Sequence, residues 1–127
     1  MIKIIFILSL NILFSTSLQQ MYDSSYPSGD YERYIFLNGN ETYTGGIGVF
    51  EESTYIEGNG ATIDLQFGLG IWVYSDSTSN VTLDINRCTI INGSEYALSY
   101  SGNSIGTVTN INLINSVNGI KLFESSN

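Results

Sequence analysis

The chain has 127 residues, with 4 Lys and Arg against 12 Asp and Glu, no histidine, and a formal net charge of −8. Without histidine there is no imidazole to act as base, acid or metal ligand, and Cys88, the single cysteine, leaves no internal disulfide to form. So small a basic complement argues against nucleic acid and anionic membranes as partners, because both are held by clustered Lys and Arg.

Lys3, the apolar run from Ile4 to Phe14 and the small residues Ser15-Thr16-Ser17 have the layout of a secretory signal peptide over residues 1–17. The run is shorter than the about 20 apolar residues that span a bilayer, so the expected mature form is secreted, extracellular or at the cell surface, and does not span the membrane. Cleavage leaves Arg33, Arg87 and Lys121 as the only basic residues, on a chain sized for one small domain. Residues 18–33 (LQQMYDSSYPSGDYER) hold the only proline and show no apolar periodicity, which reads as a leader or linker.

From residue 34 to 127 the pattern is short β-branched runs punctuated by Gly, Asn, Ser and Thr. Strands are expected at 34–37, 47–50, 54–56, 61–65, 71–74, 81–85, 89–91, 97–100, 108–113 and 120–123, with no helical period anywhere. Four of these share a signature: Ile47-Gly48-Val49-Phe50, Ile71-Trp72-Val73-Tyr74, Ala97-Leu98-Ser99-Tyr100 and Ile120-Lys121-Leu122-Phe123, at steps of 24, 26 and 23 residues. A unit too small to bury its own apolar face becomes stable by stacking on copies of itself, so the period predicts a solenoid of about four rungs. Val49, Val73, Ser99 and Leu122 then form one column. Asn92 returns as Asn115 and Asn80 as Asn103, in positions where side-chain amides of successive rungs can bond as a ladder.

The segments Tyr43-Thr44-Gly45-Gly46-Ile47, Tyr55-Ile56-Glu57-Gly58-Asn59-Gly60-Ala61-Thr62-Ile63-Asp64 and Ile85-Asn86-Arg87-Cys88-Thr89-Ile90-Ile91-Asn92 resemble the opening coils of right-handed parallel β-helix proteins of the pectin-lyase-like superfamily. The resemblance implies an all-β, right-handed parallel β-helix. It implies no single activity, since the superfamily holds polysaccharide lyases, glycoside hydrolases and non-catalytic adhesins. Its lyases use Arg or Lys as base with calcium on Asp or Glu, and its hydrolases use clustered Asp. Here the acidic clusters are missing and the three mature basic residues are scattered, so no catalytic residue is assigned.

Two surface features remain. Glu52 and Asp76 occupy equivalent turns with Glu51 beside them, and carboxylates about 4.8 Å apart across a rung would suit a calcium ion, or else splay into water. Strand alternation sends Trp72 and Leu98 outward, and beside them Phe50, Tyr74, Tyr100 and Phe123, a strip of rings on which a polysaccharide or cell-surface glycan could lie. The same rings turned inward would be an internal stack. Asn40, Asn80 and Asn92 each open a glycosylation tripeptide. The last signature strand is followed by only four residues, without a visible cap, so either a longer β-helix continues or the open rung self-associates. The resulting expectation is a secreted β-helix for extracellular carbohydrate or surface interaction, no catalytic site being complete in this segment. The alternatives are the N-terminal part of a polysaccharide lyase or glycoside hydrolase, and a structural adhesin stalk.

Overall fold

The structure, a computed structural model, describes residues 15–124; the expected signal peptide lies outside the described residues as far as residue 14. A short helix α1 (Leu18–Asp23) is followed by twelve strands: β1 (Tyr26–Ser28), β2 (Tyr31–Phe36), β3 (Thr42–Thr44), β4 (Gly48–Phe50), β5 (Thr54–Glu57), β6 (Thr62–Asp64), β7 (Ile71–Ser75), β8 (Val81–Ile91), β9 (Tyr96–Gly102), β10 (Ser104–Ile105), β11 (Val108–Ile114) and β12 (Asn118–Leu122). They form a β-solenoid of about four turns.

Parallel pairing builds the faces of the coil. On the first, β2, β5, the start of β8 and the start of β11 follow one another, with Ile35, Ile56, Ile85 and Val108 in register. On the second, β3, β6, the end of β8 and the end of β11 stack Tyr43, Ile63, Ile90 and Leu113. The third is β4, β7, β9 and β12, and β10 rides on the start of β8. Each column puts like side chains one strand spacing apart, and the aliphatic members fill the interior: Ile35, Ile56, Ile63, Ile85 and Ile90 are at most 1% exposed.

Strand β8 shows how a coil turns its corner. Val81, Leu83 and Ile85 point inward, then Asn86 and Arg87 both point out before Cys88 and Ile90 turn in again. The shift of alternation is made by Arg87, at φ 55, and its neighbour in the next coil, Asn110, at φ 53. Asn92 and Asn115 repeat the device at the next corner, both at φ 58, a conformation that Asn adopts more readily than most residues. The expected amide ladder forms there: Asn115 Nδ2 donates to Asn92 Oδ1 at 2.8 Å, and Asn92 Nδ2 donates to Asp64 Oδ1 at 3.1 Å. Asn80 and Asn103 do not pair as side chains; Asn103 Nδ2 donates to the Ser77 carbonyl instead.

Two expectations need correction. Residues 18–33 are neither leader nor linker: Ser17 caps α1 through its Oγ, Gln20 completes a capping box, and Leu18 and Tyr22 enter the core. The Thr44 amide bonds to the Thr16 carbonyl, and β1 pairs antiparallel with β2, so two of the first coil's three strand edges are covered. The second correction is one of register. Val73 pairs with Tyr100 rather than Ser99, and Tyr100 with Leu122, because the longer connection from β7 to β8 has already set Thr62 against Thr89 and Asp64 against Ile91, an offset that β9 keeps. A one-residue slip exchanges the faces of a strand, so Leu98 and Tyr100 are inside and Ser99 is outside.

Truncating the middle of a column should be costly, since its neighbours on both sides keep their positions. Ile85→Ala is expected to lower the unfolding free energy by about 2 to 5 kcal/mol, measured by denaturant titration, against under about 0.5 kcal/mol for Thr109→Ala on the outer surface.

Candidate functional site

The outer surface of the third face carries most of the residues singled out from the sequence. Register places Gly48, Trp72, Ser99 and Lys121 in one column, and Phe50, Tyr74 and Ser101 in the next, with Phe123 beyond β12. Phe50, Trp72, Tyr74 and Phe123 are exposed, by 51, 38, 37 and 45%. Tyr100 is not among them: it is 7% exposed, and its hydroxyl donates to the Leu83 carbonyl at 2.8 Å. Burial pushes its phenol well above the usual range. The four-ring strip is therefore interrupted by Ser101.

Ring orientation limits it further. Phe50 and Tyr74 stack at 5.7 Å with planes 14° apart, so each covers a face of the other and leaves less flat surface for a ligand. Trp72 behaves differently. Its indole lies over the α-carbon of Gly48, where any Cβ would overlap the ring. Leaning toward Gly48, it lines a recess with Leu69, Gly70, Ser94, Glu95, Tyr96 and Ser99. The Tyr96 hydroxyl donates to Glu95 Oε1 at 2.9 Å, and Tyr96 meets Phe123 edge to face at 5.8 Å. Lys121 Nζ lies over the Phe123 ring, 5.7 Å from its centre. Trp72, Tyr74, Phe50 and Phe123 thus share a surface, but Trp72 alone of the five rings lines this recess.

The acids are distributed differently from the expectation. Glu51, at φ 57, accepts from the Asp76 amide at 2.8 Å and the Ser75 hydroxyl at 3.0 Å, and the Asp76 N–H leads in holding its carboxyl below the usual range. Glu52 turns the other way. It accepts from Arg33 Nε and from the Tyr22 hydroxyl, both at 2.9 Å, with the Arg33 bond first in lowering its pKa. Among the described residues no three of His, Cys, Asp and Glu converge as metal ligands. Of the sequon residues, Asn40 and Asn80 are exposed, whereas the Asn92 amide is engaged on both sides by the ladder.

Other groups went unnoticed in the sequence. Tyr34 and Tyr55 stack at 5.0 Å on the first face, with Tyr31 5.3 Å from Tyr55 and bonded through its hydroxyl to Asp84. Glu57 is 4% exposed and pairs with Arg87, while Asn86 Nδ2 donates to it at 3.1 Å. Arg87 also borders a polar groove with Asn59, Thr89, Asn110 and Asn112. Burial raises the Cys88 thiol to about 12, so this cysteine is not a nucleophile near neutral pH. The capping pattern Ser17-x-x-Gln20 was a readable signal for α1; the tyrosine cluster depends on register between distant segments and had none.

No family model, no curated protein and no solved structure matches the chain.

Two predictions follow from this surface. Tyr100→Ala should cost about 3 to 5 kcal/mol, and Tyr100→Phe about 1 to 3 kcal/mol through the orphaned Leu83 carbonyl, whereas Tyr74→Ala should cost less than either; thermal melting orders the three. The α1 clasp should also respond to pH. The ionised Glu52, with its lowered folded pKa, contributes stability above the unfolded carboxylate value of about 4.3 and loses it as pH falls through the folded value. Tyr22, raised to about 12 by burial and then by Glu52, favours folding below pH 10.0 and ceases to as pH climbs toward 12. Amide exchange in α1 should accelerate at both extremes relative to the β7 amides; equal protection of α1 and β7 at pH 3 would refute the clasp.

Proposed function

We propose that the protein is a secreted β-solenoid that binds carbohydrate at an extracellular or cell surface, through the Trp72 recess rather than along a continuous strip of rings. The observation that carries this reading is the indole laid over Gly48 beside a recess lined by Ser94, Glu95, Tyr96 and Ser99. Sugar rings present a C–H face that packs on an aromatic ring, while their hydroxyls need nearby hydroxyl and carboxylate partners. Both kinds of group occur here within one small concavity.

The same reading places the chain with the non-catalytic members of the pectin-lyase-like group, supported by its parallel coils and its corner asparagine ladder. Its charged side chains fit that assignment. Arg33 and Arg87 are committed to Glu52 and Glu57, and Lys121 stands over Phe123, so among the described residues no two basic groups converge on one cleft to serve lyase chemistry. The exposed Asn40 and Asn80 are the positions where glycans would fit without disturbing the coil.

Trp72 is the only tryptophan, so its fluorescence reports on this recess alone. Titration of the secreted protein with a panel of oligosaccharides is expected to shift its emission. Gly48→Ala, which displaces the indole, should weaken that binding about tenfold or more. Binding that leaves Trp72 emission unchanged and survives Gly48→Ala would overturn the assignment to this recess.

A further inference from the structure

We infer that the Trp72 recess takes a protonated amino sugar in preference to a neutral or acidic one. The inference rests on the carbohydrate reading and specifies its ligand class. The recess joins two aromatic walls, Trp72 and Tyr96, to one carboxylate, Glu95. Glu95 is an exposed side chain on the turn before β9, held by the Tyr96 hydroxyl at Oε1. Among the described residues no cation pairs with it, although Arg33 and Arg87 are each paired with another carboxylate. The nearest basic residue in the register is Lys121, one coil beyond Ser99, and its ammonium is turned over the Phe123 ring.

An ammonium group entering the recess would meet the carboxylate beside an indole and a phenol, the combination that favours organic cations over neutral groups. A uronate in the same place would set its carboxylate against Glu95 in a molecule already carrying a formal charge of −8. A neutral sugar keeps the stacking and forgoes the ion pair. The ligand that uses every wall of the recess is a hexosamine unit with a free amine, its C–H face on Trp72 and its ammonium toward Glu95.

Four oligosaccharides of equal length separate the possibilities by Trp72 fluorescence and calorimetry: glucosamine, N-acetylglucosamine, glucose and galacturonate oligomers, with an oligolysine of matched charge as control. The expected result is that the glucosamine oligomer binds at least about fivefold more tightly than the others. Its affinity should fall about fivefold in Glu95→Gln, an exposed substitution that leaves the coil intact, and should also fall in 0.5 M salt. Equal binding of the neutral oligomers would overturn the amino-sugar preference while leaving the carbohydrate reading in place. Equal binding of oligolysine, or no effect of Glu95→Gln, would reduce the interaction to general attraction of polycations and overturn the inference. Failure of all four saccharides to bind would overturn both.

Discussion

The in-register parallel pairing of one coil with the next is the interaction on which the rest of this molecule depends. Each strand of the inner coils gives its backbone donors and acceptors to the coil before and the coil after, and many of its side chains meet a neighbour of their own kind. From that follow the columns of isoleucine, the ladder of Asp64, Asn92 and Asn115, and the ring pairs Tyr34 with Tyr55 and Phe50 with Tyr74. A substitution in such a column disturbs two contacts that lie far away in sequence, which makes the coil cooperative along its axis.

Corners impose the second constraint. A coil this small must reverse its alternation at each bend, and it does so by placing single residues in the left-handed region: Arg87 and Asn110 at one corner, Asn92 and Asn115 at another. The resulting outward side chains are polar and bond along the axis. Asn86 donates to Glu57 and accepts from Thr109 and Asn110, so the carboxylate of Glu57, although almost fully buried, is satisfied by Arg87 on one side and Asn86 on the other. Polar ladders outside and aliphatic columns inside thus run parallel to each other.

The candidate site lies on the part of the surface where stacking is broken. Repetition of like residues makes ladders, and ladders hide ring faces and occupy amides. The Trp72 recess lies where the column is irregular: glycine before the indole, serine after it, and the turn at residues 92–95 that sets Glu95 and Tyr96 beside it.

The sequence by itself determined the solenoid, because period and alternation are local properties: near-equal spacing of β-branched signatures allows little but stacked coils, and the return of Asn92 as Asn115 was visible as a spacing. It also carried the helix cap, in Ser17 and Gln20, though a single turn of helix is too short to show periodicity and the segment read as a leader. Only the tertiary structure decided which way the rings face. Register between coils is set by turn length, and one residue more or less between Val73 and Tyr100 sends Tyr100 into the core, Ser99 to the surface, and with them the boundary of the candidate site. Likewise the partners of Glu52, Tyr22 and Arg33, were fixed by α1 packing against the first coil, a contact between side chains that no spacing along the chain encodes.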